Sequence, residues 1–265
     1  MTGAVVVLGA YGGVGTACVA ALTARGVRVA AVGRSTEKLD QLAAGTASGG
    51  AGTLTTHQLT DPTDPGAVEE TLTAIVQHHD ALAGVITTLG RYAATPLDDL
   101  DPGVAREVLD TNLVAPMVLT AAAAPRLAGG GRIVHIGSVT SLVSRGGYAA
   151  YEAAKAGLVA LSRSAAVELA GRGIAVNVVA PGWIRTPMAA PYLDSADPAA
   201  VARLIPAGRA SEPEEIAGVA VWLALEAPLT LTGQTLVVDG GQSAHTDHLP
   251  EPTPLPGPTT PRRDS

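Results

Sequence analysis

Seven short β-rich runs alternate with longer helical patterns along this chain, and that alternation leaves few folds open. The runs fall at residues 4–9, 27–32, 53–58, 83–88, 131–136, 174–179 and 235–238. Helical periodicity occupies 13–25, 36–44, 65–78, 101–127, 151–170 and 213–225. Runs such as GVRVAAV and IAVNVV are apolar on successive residues, so they present no wet face and belong between two layers of helix. Strand, crossover helix and parallel strand form a right-handed unit. Repeated units predict an α/β chain with a single doubly wound parallel sheet and helices on both faces.

Residues 1–243 read as one domain, and no internal repeat interrupts them. From 244 to 265 the pattern stops. Prolines at 250, 252, 254, 256, 258 and 261 and a shortage of apolar side chains predict an extended or disordered tail. His245 and His248 on that tail read as solvated side chains rather than metal ligands, and no metal is expected.

Composition narrows the function. The formal charge is −7 and no basic stripe is visible, so nucleic acid and anionic membranes are not expected partners. Cys18 is the sole cysteine, which excludes an intrachain disulfide and suits apolar packing. The N-terminus lacks a basic region ahead of its apolar stretch, and no uncharged run is long enough for a bilayer. These features lead us to expect a soluble, cytoplasmic protein.

Between the first strand and first helix lies LGAYGGVG, with Gly9, Gly13 and Gly15. Glycine lets the chain turn sharply and lets backbone N–H groups approach a pyrophosphate at the helix N-terminus, where the dipole favours anions. Glycines also serve tight turns that bind nothing, but the strand before and the helix after favour a cofactor cradle. In dinucleotide folds an acidic residue about 20 positions further on holds the adenosine ribose. Here the second strand ends in Gly33 and Arg34, followed by Ser35. A guanidinium matches a 2′-phosphate, with Ser35 as a supporting donor, so NADP(H) is expected over NAD(H).

Tyr151 and Lys155 stand four apart in a strongly helical segment and so share one face. A free tyrosine, with pKa about 10, exchanges protons poorly near neutrality, and a neighbouring ammonium is expected to lower that value. Ser138 closes the strand GRIVHIGS, at the end of a sheet where reactive groups gather. Pro116 lacks an N–H, so the carbonyl of Asn112 loses its partner and a kink is expected there, with room for a water.

The whole set resembles the short-chain dehydrogenase/reductase family, from Val5 to about Gly241, with a Rossmann-like fold. The matching pieces are G-x-x-x-G-x-G at 9–15, DPTD at 61–64, TNL at 111–113 and Ser138. Tyr151-x-x-x-Lys155, NVVAPGWIRTPM at 177–188 and LTGQTLVVDGG at 231–241 complete it. The spacing is most similar to that of 3-oxoacyl carrier-protein reductases. The resemblance implies Tyr151 as general acid or base, Lys155 as its helper on the nicotinamide ribose, Ser138 at the substrate oxygen and Asn112 supporting a relay water. It further implies cofactor contacts from Gly9, Tyr11, Gly13, Val14, Gly15, Asp61 (at adenine), Thr88, Leu89, Pro181 and Gly182. Ile184 and Thr186 would meet the carboxamide end.

Two departures from the family pattern stand out. Leu8 replaces the usual threonine before the first glycine, and TTLG, 87–90, replaces an Asn-Asn-Ala-Gly segment, so an apolar Leu8–Leu89 contact is expected where the family has a hydrogen bond. Gly12 stands where some NADP-preferring relatives have a basic residue, leaving Arg34 largely alone.

Trp183, Met188, Tyr192 and Leu193, with Leu142, Val143 and Tyr148, promise a mostly apolar pocket for a hydrophobic or cyclic ketone or alcohol. Arg172 matches a position that carrier-protein reductases use for an acidic carrier, and equally suits a helix C-terminus. Small residues on 151–170 resemble the family's dimer-forming face, so a homodimer or homotetramer is expected. Three readings follow: an NADP(H)-dependent ketone reductase first, a 3-oxoacyl carrier-protein reductase second, and a catalytically silent dinucleotide sensor or scaffold third.

Overall fold

A computed structural model describes residues 3–46 and 52–244, so the expected tail at 244–265 lies, apart from Ala244, outside the described residues. All seven expected strands form: β1 (Ala4–Leu8), β2 (Arg28–Gly33), β3 (Leu54–Gln58), β4 (Leu82–Thr87), β5 (Leu127–Ile136), β6 (Ala175–Pro181) and β7 (Thr235–Val238). They pair in parallel in the order β3-β2-β1-β4-β5-β6-β7. The chain moves outward one way from β1 and the other way from β4. The neighbouring carboxyl ends of β1 and β4, where Leu8 faces Thr87, are therefore the crevice of the sheet.

Helices cover both faces. On one lie α1 (Gly13–Ala24), α2 (Thr36–Thr46) and α9 (Pro213–Leu225), packed with Val5 and Val7 of β1. On the other lie α3 (Pro65–His79), α5 (Ala115–Ala123) and α6 (Ala149–Leu169), packed with Val6 and Leu8. All five residues of β1 are buried, as its unbroken apolar run requires. Cys18 is buried in the first layer with its thiol pushed up to about 12 by desolvation, which makes it an apolar packing residue.

Asp-Pro pairs start three helices: α3, α4 (Pro102–Leu109) and α8 (Pro198–Leu204). In each, the aspartate accepts a first-turn N–H while proline occupies a position whose own N–H would be idle. α8 and the short α7 (Ala190–Leu193) lie in a stretch that sequence periodicity leaves as loop.

The helix expected over 101–127 is not one regular helix. α4 passes through a π-helical turn at Asp110–Val114 into α5, with Pro116 in the first turn of α5. The expected interruption thus takes the form of a widened turn, a device found at functional sites. The 25-residue stretch Pro102–Arg126 is long and apolar enough to cross a membrane by length and composition. Its apolar side, with Val108, Ala115, Leu119 and Ala123, is buried within the fold.

Candidate active site

The cradle is built first from glycine. Gly9 turns out of β1 at φ +86°, in the left-handed region that favours glycine. Gly12, the N-cap of α1, offers no side-chain cap, and the first turn holds no acidic residue. The opening amides of α1 are thus free to meet an anion. A Cβ on Gly15 would overlap the carbonyl oxygen of Gly9, and one on Gly13 would come within 2.6 Å of Thr186 Cγ2. These residues fit a dinucleotide pyrophosphate. Val14 is buried, so only its backbone faces the cradle.

The expectation for Leu8 needs correction. Leu8 and Leu89 do share one apolar cluster, but the hydrogen bond is kept as well. Thr88 supplies it from the opposite strand end: its hydroxyl lies 3.0 Å from both Leu8 O and Gly9 O, and its N–H donates to Leu8 O at 2.8 Å. Thr88 therefore braces the turn from β4. Thr88→Val should raise the dinucleotide Kd about threefold to tenfold, the effect of roughly 1 kcal/mol from one hydrogen bond. A fluorescence titration that finds no change would show the brace to be idle.

At the adenosine end, the Tyr11 hydroxyl accepts from the backbone N–H groups of Arg34 (3.1 Å) and Ser35 (3.2 Å). Its ring occupies the space a side chain on Gly33 would need, which explains why no carboxylate stands there. Ser35 caps α2, its Oγ accepting from Lys38 N at 3.3 Å. Lys38, which motif reading passes over, holds its Nζ 5.6 Å from the Tyr11 ring centroid. Arg34 thus has a second cation on the same side of the crevice. The Asp61 carboxylate accepts from the Thr63 hydroxyl and N–H, contacts that hold it below its usual pKa while it remains exposed.

Ser138, Tyr151 and Lys155 converge. Ser138 follows β5 in an extended conformation, and its Oγ accepts from Thr140 N (3.2 Å) and Thr140 Oγ1 (3.0 Å). Tyr151 and Lys155 come one turn apart from α6, whose Ala150 N–H is capped by the Thr95 hydroxyl at 3.0 Å. The expectation of a phenol pKa below its ordinary value is corrected. Burial raises Tyr151 above 10, and the hydrogen bond to Ser138 opposes this without reversing it. Lys155 Nζ sits 5.7 Å from the Tyr151 ring centroid and donates to Ile136 O at 3.0 Å. A buried ammonium takes the nearest strong acceptor, here a strand-end carbonyl. Desolvation pushes Lys155 down to about 8.

Asn112 lies in the π-helical turn, fully buried. Its amide donates to Arg91 O (2.9 Å) and Val108 O (2.8 Å), so its side chain ties the segment after β4 to the helix. Behind the site, His135 bridges Thr87 (2.7 Å) and Thr120 (3.4 Å). Burial, with the Lys155 charge adding, pushes its pKa down to about 3, so it is neutral. Thr120 gives its own proton to Pro116 O, which assigns the ring hydrogen to Nε2.

A cavity of about 610 Å³ opens beside Ser138 and Tyr151, and Gly182, Ile184 and Thr186 line it, while Pro181 closes β6 behind them. Trp183, Met188 and Val143 are on its wall; Tyr192 and Leu193 line an adjoining chamber of about 220 Å³ instead. Leu142 is exposed and off the wall, and Tyr148 stacks on Tyr92 at 4.3 Å. Other wall residues come from outside the expected set, among them Tyr92, Arg145, Gln242 and Ser243. Tyr92 arrives from the loop after β4, and Gln242 and Ser243 are folded in by Asp239, whose carboxylate accepts from Ser243 N at 2.7 Å. Arg172 uses its guanidinium on Ala124 O (2.7 Å) and Leu127 O (3.3 Å), holding carbonyls at a helix end.

A family model described as Enoyl-(Acyl carrier protein) reductase matches residues 9–243. The 3-oxoacyl-[acyl-carrier-protein] reductase FabG of Escherichia coli (strain K12) is 34% identical over 237 residues, 89% of this chain and 95% of that protein. Cis-4-hydroxycyclohexanecarboxylate dehydrogenase of Sinomonas cyclohexanicum is 34% identical over 242 residues, 90% of this chain and 96% of that one. Among solved structures, a short-chain type dehydrogenase/reductase from Mycobacterium ulcerans aligns with TM-score 0.87 and 29% identity, covering 91% of this chain and 90% of that one. Likeness of this extent, on a sheet whose crevice carries a glycine cradle beside a half-buried tyrosine, places the chain in the short-chain dehydrogenase/reductase family of oxidoreductases acting on carbonyl and alcohol groups.

Proposed function

We propose that this chain catalyses hydride transfer between NADP(H) and the carbonyl or secondary alcohol of a hydrophobic or cyclic substrate. The observation that carries the reading is the convergence of Ser138 and Tyr151 on one wall of the 610 Å³ cavity, with Lys155 buried behind them. The nicotinamide, when bound, supplies or takes the hydride. Tyr151, a neutral phenol, donates its proton to the oxygen of a carbonyl under reduction. Ser138 donates to the same oxygen as negative charge develops there. Lys155 keeps a positive charge beside the phenol ring and favours the phenolate that forms. Asn112, through its hold on Arg91, steadies the wall that carries Tyr92.

The preference for NADP(H) rests on Arg34, with Lys38 beside it and no carboxylate at the end of β2. Arg34→Ala should raise the Kd for NADPH about tenfold to a hundredfold, the range of a charge-assisted contact, and leave NADH nearly unchanged. Equal affinities for NADPH and NADH in the parent protein would overturn the preference.

The likeness to 3-oxoacyl-[acyl-carrier-protein] reductase keeps a β-ketoacyl thioester as the second reading. Against it, Arg172 is engaged with backbone carbonyls instead of presented to a carrier. NADPH oxidation across cyclic ketones, β-keto thioesters and quinones separates the two, and a chain inert to all of them would be a dinucleotide sensor. For assembly we propose a homodimer or homotetramer through α6, where Val167 is 81% exposed.

A further inference from the structure

We infer that Arg145 selects substrates whose ring carries a carboxylate remote from the reacting carbon. The inference rests on the reductase reading above and names the substrate class of the same cavity. Among the described residues, Arg145 is the one charged side chain on the wall of the 610 Å³ cavity, and it also borders the 220 Å³ chamber. Among the described residues, no aspartate or glutamate lines either space.

The local chain is built to present this guanidinium. Gly146 and Gly147 both take left-handed conformations, at φ +74° and +75°, and turn the loop back toward α6. Glu152, next to Tyr151, accepts from Ser144 Oγ at 2.6 Å and from the Arg145 backbone N–H at 2.8 Å. The nearest carboxylate on α6 thus fixes the loop backbone instead of neutralising the side chain. Ion pairs among the described residues use Arg28, Arg91, Arg126, Arg185 and Arg209, and none uses Arg145.

The guanidinium lies against rings instead. Its carbon is 4.9 Å from the Trp183 ring centroid and 5.6 Å from that of Tyr148, and Nη1 is 3.4 Å from the Tyr92 hydroxyl. Rings on its faces orient this exposed guanidinium, and the N–H groups not directed at Tyr92 stay available to a planar anion. Tyr92 also packs edge-on against Tyr151 with centroids 4.9 Å apart. Arg145 therefore stands one aromatic ring away from the reacting hydroxyl. A six-membered ring with its carbonyl at Ser138 and Tyr151 would lie along Tyr92 and direct a far-side carboxylate to Arg145. Carboxylate and guanidinium then pair through two parallel hydrogen bonds.

The test uses the full chain with NADPH and compares kcat/KM for 4-oxocyclohexanecarboxylate, its methyl ester and cyclohexanone. The acid should exceed its ester about tenfold to a hundredfold, the range for a hydrogen bond to a charged group, mainly through KM. In Arg145→Gln that ratio should fall close to one, and Arg145→Lys should keep part of it because the charge stays and the fork is lost. Equal acid-to-ester ratios in the parent and Arg145→Gln would overturn the inference and leave the reductase intact. So would an Arg145-dependent preference confined to acetoacetyl-CoA over its N-acetylcysteamine analogue, since the anion recognised would then be a carrier-arm phosphate. If no ketone or thioester is reduced at all, the reductase reading fails, and this inference with it.

Discussion

Tyr151→Phe should lower kcat/KM for ketone reduction by about 10²- to 10⁴-fold, the contribution of a positioned general acid, with dinucleotide binding retained. The substitution removes one oxygen from a half-buried ring and leaves its shape, so neither α6 nor the cavity wall has cause to move. What is lost is the proton that Ser138 helps aim. The pH profile carries a second check, with a definite sign. Burial holds the phenol pKa above 10, so the acid form persists through neutrality. Reduction should therefore hold steady through neutral pH and decline on the alkaline side. A first bend is expected near pH 8, where Lys155 loses its charge, and a further loss as Tyr151 ionises. Oxidation needs the phenolate and should rise with pH over the same range. Stopped-flow and steady-state NADPH absorbance measure both, and a Tyr151→Phe enzyme with unimpaired turnover would remove Tyr151 from the chemistry.

Much of this site is legible in the sequence because its parts follow from local rules. Apolar runs without a wet face can only be buried parallel strands, and the order of runs and helices then puts Gly9, Ser138 and the start of α6 at one edge of the sheet. Tyr151 and Lys155 meet because residues four apart share a helix face. The hidden parts depend on contacts between segments far apart in the chain. Thr88 takes over the bracing that a residue at position 8 was expected to lose, since hydroxyl and carbonyl meet only once β1 and β4 pair. Tyr92 and Arg145 carry no motif, and they come together because Gly146, Gly147 and Glu152 fold one loop against another. The direction of the Lys155 side chain is hidden for a related reason. Spacing puts it near Tyr151, but the free carbonyl of Ile136 at the end of β5 decides where the ammonium points.

That position makes Lys155 a residue retained against stability, and Lys155→Met should separate the two quantities. Turnover should fall about 10²-fold or more, because the phenolate loses the charge that favours it. Stability should rise. Lys155 is 2% exposed, and its pKa falls from 10.5 to about 8 through desolvation, a shift worth roughly 3 kcal/mol against the charged form. Methionine fills the same channel without a charge, and the lost hydrogen bond to Ile136 O returns about 1 kcal/mol of that gain. A net gain of about 1–2 kcal/mol corresponds to a Tm increase of roughly 2–8 °C in a domain of this size. The sign with pH follows from linkage. Between about 8 and 10.5 the unfolded chain binds a proton at this lysine that the folded chain has released, so the parent protein gains stability as pH rises through that window. The methionine variant lacks that slope. Its Tm advantage should be full below pH 8 and shrink steadily toward pH 10.5; an advantage that stays constant across the window would mean that Lys155 carries no buried charge.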